Sequence, residues 1–517
     1  MNDTTTVTRF YASVVIYFAI AIRTMDQTIL LSLCLIFSCF LFLLKNYRRS
    51  SKLPPGPRGI PIFGNLFLIK RLSRAHGGLH RAFQQISREQ KSSILGLHFG
   101  SSLVVVFFGR KYMKMIMSEE AFQGRPDNLF TRLRTMGERR GITILDGPVF
   151  HEQRKFAVRH LSQLGFQKNE MKAFIQMELK HFLDFLKPRE ENVCINPLLT
   201  SAVLNVIWTF VADRRFSYDD PFLNDWFDLF NRRGKVFDLS GGLLSQFPWI
   251  RFLAPEKSGY NLILKINAEL KKFMDTEIER HKANESTEPR DFIDVYLREI
   301  KAAGPDSPVF NEDQLIAVCL DFFIAGLHTT SDSLTFALIA MVKFPEVQTK
   351  VQKCLDEVLS VDEIPHYDDR QRLPYIEAVL LESMRYTHVV PFIGPRRVMQ
   401  DVVVDGYRIP KNTLVFGDLD EYYRSQDSWG DPENFRPERF IRKNGEVISE
   451  DKHFFFGRGA RSCIGNVLAK QFVFTFFCGI LKKYKLSLAP SSKMPGEIPG
   501  ITTKPEPFFV SMTQRGR

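Results

Sequence analysis

Hydrophobic and polar positions along the chain alternate mostly with the period of a helix and only rarely with that of a strand. Residues 260 to 282 and 311 to 343 keep apolar positions three and four apart and contain no proline, the pattern of long helices with a buried stripe. Pro345 closes the second run. PEVQTKVQKCLDEVL then opens a further helix with proline in its first turn, where the missing N–H costs nothing. VLAKQFVFTFFCGIL, residues 467 to 481, reads as another helix. Strand patterns are few: ILGLHFGSSLVVVFF (94 to 108) turns at a Gly-Ser pair, and VVVDGYRI (402 to 409) turns at Asp405-Gly406. No internal repeat or low-complexity tract interrupts this order. The expected fold class is mainly α with small β-sheets.

The N-terminus departs from periodicity. ILLSLCLIFSCFLFLL, residues 29 to 44, carries no charge and is a little shorter than the roughly 20 residues that span a bilayer. Lys45, Arg48, Arg49 and Lys52 follow, and the positive-inside rule places the downstream body in the cytosol. A cleaved signal peptide would carry its charges before the apolar run and end in small residues, and neither holds. A buried core helix is the competing reading; uniform apolarity beside a basic cluster does not fit it. FYASVVIYFAIAI (10 to 22), between Arg9 and Arg23, is open among an interfacial helix, a signal-like segment and a start-codon effect, since Met25 would begin a chain with one compact anchor. LPPGPRGIPIFGN (53 to 65) is a stiff, turning linker, because proline fixes φ and glycine frees it. The expected organisation is an anchor region at 1–52, a proline-rich hinge at 53–65 and a single body at 66–517.

Composition narrows the function classes. The chain has 517 residues, 44% of them hydrophobic and 47 of them Phe, enough for a large core with aromatic side chains left over to line a cavity. A net charge of +12 suits an acidic partner or an anionic membrane surface. Nucleic acid is not an expected partner, because zinc-finger spacing, an RNP-type stretch and a lysine-rich tail are all missing. The seven cysteines are odd in number, scattered and without CxxC spacing, which argues for a reducing compartment and against a disulfide framework.

One cysteine stands apart. In FFFGRGARSCIGNVLAK (454 to 470), Cys463 is a packing residue, half of a disulfide, a nucleophile or a metal ligand. Glycines let the backbone curl close to a flat object. The helix behind begins near the sulfur, and its peptide dipoles favour a thiolate. Arg461 offers a cation two residues away. A thiolate held in this way is suited to ligate iron axially. The pattern formed by Phe456, Gly459, Arg461, Cys463 and Gly465 closely resembles the cysteine motif of the cytochrome P450 family, and the resemblance runs from the proline hinge to the C-terminus. It implies the cytochrome P450 fold, with heme between a distal helix and the cysteine loop of a single heme-thiolate catalytic domain. It makes Cys463 the iron's thiolate ligand, pairs Arg461 with a heme propionate and sets Phe456 over the sulfur side of the ring, with Gly459 and Gly465 shaping the loop. A buried structural cysteine is the bland alternative, and five fixed positions weigh against it.

Other stretches carry the same resemblance. Glu382 and Arg385 share a helix face, and with Arg439 of FRPERF they match a buried structural trio of the family. DGPVFHEQRKFAVRHL (146 to 161) resembles the helix that passes over the heme. Arg154 takes the propionate-binding position, and Phe150 stands where the family has tryptophan, which removes an indole N–H. Arg396 is the second expected propionate cation, with Arg397 as its competitor. In DFFIAGLHTTS (321 to 331), Val318, Phe322, Ala325 and Thr329 follow one helix face. Ala325-Gly326 are small enough for a flat ring and a diatomic molecule to approach. The resemblance makes Thr329 the residue that hydrogen-bonds dioxygen and helps route protons to it. His328 occupies the position of the family's acid. It either replaces that acid in the proton route or points off the heme face and packs, and the second reading is favoured because position 328 is rotated about 100° from Thr329.

Arg139, Arg140, Lys155, Arg159, Lys452, Arg458 and Lys470 lie in segments expected on the thiolate side, a basic face suited to an acidic flavoprotein. With the anchor, the resemblance implies the NADPH-dependent cytochrome P450 reductase, the endoplasmic reticulum membrane and a cytosolic catalytic domain. The expected pocket combines the loop at 124–147, the region 215–250, Phe322, Val390 to Phe392 and the loop near Ile501. These are mostly apolar, so the expected substrate is lipophilic. The texture is similar to insect microsomal members, which act on hormones, terpenoids, sterols and xenobiotics. The expected function is a monooxygenase placing one atom of dioxygen into such a substrate. The alternatives are a heme-thiolate isomerase or dehydratase without external electrons, and a non-catalytic heme-binding protein.

Overall fold

The computed structural model describes residues 51–516 apart from 188, 190, 237–241, 449–452 and 491, together with residues 29 and 31–38. Residues 29 and 31–38 are helical and exposed; residues 30 and 39–44 of that span, the 10–22 stretch, Lys45, Arg48 and Arg49 lie outside the described residues.

The fold is built around one helix, Glu312–Lys343. It starts where Asn311 accepts a hydrogen bond from the Gln314 N–H, and it stops before Pro345, which opens the next helix, Pro345–Val358. Its faces are apolar almost all round, so it is buried along most of its length. The helix Ile195–Ala212 packs along it, as do Asn466–Lys483 and Pro374–Thr387. Ile195–Ala212 and the central helix are long and apolar enough to cross a membrane, but most of each is buried inside the protein, as in core helices.

The sheets are small and peripheral. Ile94–Phe99 pairs antiparallel with Ser102–Phe108, which runs parallel to Leu414–Asp418; Phe392–Arg397 completes the sheet antiparallel to that strand. The hairpin Val402–Val404 with Tyr407–Ile409 turns at Asp405 and Gly406, both at positive φ, as a tight two-residue hairpin turn requires. A third sheet joins Val193–Cys194, Phe509–Gln514 and Tyr484–Leu488. The 53–65 stretch is neither helix nor strand, and Asn65 ties its end to the first sheet by accepting the His98 N–H at 2.8 Å.

The buried charged trio of Glu382, Arg385 and Arg439 sets the approach to the cysteine loop. Glu382 accepts from Arg385 Nε and Nη2 at 2.8 and 2.9 Å, from Arg439 Nε at 3.2 Å and from the Arg436 N–H at 2.8 Å. The two guanidiniums then donate to the carbonyls of Tyr423, Trp429, Asp431 and Asn434, fixing the irregular chain before residue 454.

Candidate active site

A cavity of about 1380 Å³ lies between the central helix and the cysteine loop. Phe322, Ala325, Gly326 and Thr329 of the helix line it, and so do Phe456, Arg461, Cys463 and Gly465 of the loop. Of the expected helix face, Val318 is fully buried and does not reach the cavity.

The loop holds its shape through the backbone. The Cys463 N–H donates to the Phe456 carbonyl at 2.9 Å, and the Ser462 N–H to that of Gly459 at 3.0 Å. Gly459 sits at φ 70°, and a Cβ there would lie 2.7 Å from the Met117 carbonyl oxygen, so glycine is required on both counts. Gly465 caps the helix Asn466–Lys483 directly after the cysteine. Cys463 is accessible from the cavity but deep enough that burial raises its thiol pKa; the Gly465 N–H and the Arg154 guanidinium pull the other way. A cation at the sulfur would complete the stabilisation of the thiolate.

Six arginines line this space: Arg370 and Arg442, and the four beside the cysteine loop or bonded near it, Arg125, Arg154, Arg396 and Arg461. Arg154 Nη2 donates to the Ser462 carbonyl at 2.7 Å and so braces the loop. Arg461 donates to the carbonyls of Gln123 and Leu145, and its guanidinium lies 3.4 Å from the centre of the Phe150 ring. Phe150 thus loses the indole N–H but keeps a stacking contact with the cation. Arg396 is 4% exposed and donates to Gln123 Oε1 at 2.9 Å. Burial first, and the neighbouring Arg125 second, push Arg396 down to about 8 and Arg461 to about 9. Guanidinium keeps its proton in proteins, so this pressure is a demand for a counter-anion. Arg396 Nε and Arg461 Nη1 are buried without a partner. An apolar cleft with unpaired guanidiniums at its edge fits a flat ligand that carries carboxylates, as heme does. Arg397 points elsewhere: it binds Asp146 at 2.9 Å and the Arg125 carbonyl.

On the distal side, the Thr329 hydroxyl donates to the Ala325 carbonyl at 2.7 Å. His328 does not line the cavity. Burial, reinforced by the Lys504 charge, pushes it down to about 3, so it is neutral at physiological pH.

Among the cavity residues, Asp321 was not singled out from the sequence, and Arg125 was covered only as part of the expected 124–147 loop. Asp321 accepts the N–H groups of Ile142 and Thr143, both at 2.7 Å, and pins the 141–143 loop to the central helix. Its signal was present, a carboxylate on an otherwise apolar helix face four residues before Ala325. Arg125 donates to the carbonyls of Thr143 and Pro395, and a lone arginine after a glycine gives no signal.

The expected pocket changes in part. Ile142, Thr143, Phe322, Val390 and Phe392 line the cavity, but no described residue of 215–250 does, and Ile501 is exposed. Trp226 and Phe230 are instead engaged with Phe323 and Phe273, a core cluster off the cavity face. The basic face is also smaller than expected. Arg139 pairs with Asp146, and Arg140 with Glu138 and Asp313. Lys155 and Arg159 are exposed, Arg458 and Lys470 are half-buried, and Lys452 lies outside the described residues.

A family model described as Cytochrome P450 matches residues 54–512. The chain is 38% identical to the probable cytochrome P450 305a1 of Drosophila melanogaster, over 94% of this chain and 99% of that protein. It is 32% identical to the farnesoate epoxidase of Bombyx mori, over 94% and 98%. It is 31% identical to cytochrome P450 2B9 of Mus musculus, over 92% and 98%.

Proposed function

The chain belongs to the cytochrome P450 family of heme-thiolate oxidoreductases, and from that premise we propose that it places one atom of dioxygen into a lipophilic substrate with electrons from NADPH through a reductase. Cys463 would supply the thiolate that ligates the heme iron, Arg125, Arg154, Arg396 and Arg461 would hold the heme carboxylates, Phe456 would pack beside the ligating sulfur, and Gly459 and Gly465 shape the loop. The observation that carries this reading is that Thr329 and Cys463, from the central helix and the cysteine loop, line one largely apolar cavity with unpaired guanidinium atoms beside it. Bound heme supplies the dioxygen chemistry that amino-acid side chains lack. The protein's own part is to exclude water, hold the substrate against Ala325 and Gly326, and pass protons through the Thr329 hydroxyl. His328, turned from the cavity, is a packing residue in this account.

Residues 1–52 anchor the protein in the endoplasmic reticulum membrane, 53–65 orient it, and 66–517 form one cytosolic catalytic domain. Lys155, Arg159 and Lys470 form the basic docking face for the reductase. The similarity to a farnesoate epoxidase makes a sesquiterpenoid the first substrate candidate.

A spectral titration of the purified protein tests this. Sesquiterpenoids are expected to give a saturating low-to-high-spin shift, while ecdysteroid-like sterols, fatty acids and planar xenobiotics shift it weakly. A saturating shift with another class alone would overturn the sesquiterpenoid assignment. Gly459→Ala is expected to lower the heme-to-protein ratio several-fold, because left-handed backbone costs a non-glycine residue roughly 1–2 kcal/mol before the contact with Met117 is counted. Absorbance of the purified variant measures it.

A further inference from the structure

Behind the Thr329 turn sits a cluster that the reaction described so far leaves unused: His328, Asp332 and Lys504. His328 and Asp332 are one turn apart on the central helix, so their side chains are neighbours. The strand Lys504–Pro505 packs against the same helix, and the Lys504 charge acts on both side chains. Asp332 is 6% exposed, and its Oδ2 is buried without a hydrogen-bond partner; so is Nε2 of His328. On the helical wheel Asp332 falls between His328 and Thr329, about 60° from Thr329. Thr330, two residues before it, and Ser333, the next residue, line the cavity; Asp332 lies behind them and does not.

We propose that Asp332 is the acid that supplies protons to the Thr329 hydroxyl, with Lys504 as the group that returns them from solvent. The acid that the family carries at position 328 is thereby replaced by one a turn later. This rests on the monooxygenase reading. The Asp332 carboxyl O–H breaks as its proton passes to the Thr329 oxygen, and the Thr329 proton moves on to the acceptor in the cavity. The Lys504 ammonium then reprotonates the carboxylate, and the amine regains its proton from water. No electrons move.

The proton is available at neutral pH. Burial raises Asp332 to about 7 against the opposing pull of Lys504, and Lys504 is itself lowered by burial, which makes it a better donor. From the packed elements, the charge facing Asp332 is that of Lys504; on its own helix the neighbour is the neutral His328.

Asp332→Asn and Lys504→Met, assayed with reductase and NADPH beside the wild type, test the assignment. Asp332→Asn is expected to lower product formed per NADPH about tenfold or more, the scale of a lost general acid, with peroxide released instead. Wild-type coupling is expected to fall above about pH 7 as Asp332 ionises; Asp332→Asn loses that limb, and Lys504→Met moves it to higher pH. A readout independent of turnover is stability against pH. The folded protein keeps a proton that an ordinary aspartate gives up, so wild-type stability falls as pH rises towards about 7, and Asp332→Asn flattens that fall. Unchanged coupling and pH profile in both variants would overturn the assignment. A wild type without NADPH-dependent turnover would overturn the monooxygenase reading, and the role of Asp332 with it.

Discussion

Cys463→Ser abolishes the thiolate-type spectrum of the reduced, carbon-monoxide-bound protein and reduces turnover to background, while the heme-free variant keeps its helical content and unfolds near the midpoint of heme-free wild type. The sulfur is accessible from the cavity and belongs to no apolar core cluster, so its loss leaves the packing intact. What disappears is the ligand: a serine hydroxyl in the same loop lacks the low proton affinity that the Gly465 N–H and Arg154 bring within reach of a thiol. No other described cysteine can substitute. Cys319 and Cys478 are fully buried in the core, and none of Cys34, Cys194 and Cys354 lines the cavity. Visible spectroscopy and circular dichroism of the variant check both halves. A persistent thiolate-type spectrum would show that Cys463 is not the ligand.

Glu382→Ala destabilises the protein by about 3–5 kcal/mol, the cost of leaving buried charges without their partner. Arg385 is 1% exposed and pairs with this carboxylate, while the buried Arg439 side chain shares it with Asp431 Oδ1 at 3.0 Å. The loss spreads towards the site, because the same guanidiniums hold the carbonyls of Tyr423, Trp429, Asp431 and Asn434. Heme is therefore released faster from the variant than from wild type. Denaturant titration measures the first effect, and transfer of heme to an excess of apomyoglobin measures the second. A variant with wild-type stability and heme retention would mean that Arg439 and Arg385 find other anions, contrary to the bonding around Glu382.

The elements that sequence periodicity located are those whose signals are local. The helix beginning at Tyr260 and the one ending at Lys343 follow from unbroken 3.6-residue patterns and a closing proline. The hairpins at 94–108 and 402–409 follow from their turn residues. The cysteine loop was legible because its fixed residues lie within ten positions. The charged trio was legible because Glu382 and Arg385 share one turn and FRPERF marks the third partner. What was not legible depends on contacts between distant segments. Nothing near Arg125 in sequence announces that Thr143 and Pro395 will orient it, and Arg396 and Arg397 differ only in which side of a strand each takes. Trp226 and Phe230 have the apolar character of pocket residues, and only the packing of four aromatic rings shows where they are used. Asp332 is of the same kind: its burial, and the Lys504 charge that partly offsets it, come from packing against a segment far along the chain.

Turnover under isotopically labelled dioxygen, with NADPH, reductase and the sesquiterpenoid that saturates the spin shift, tests the central claim most directly. The account predicts one labelled oxygen atom in each product molecule, with the other in water and no product when NADPH or the reductase is omitted. Product free of label, or formed equally well from a peroxide without NADPH, would contradict it and leave an isomerase or dehydratase in its place.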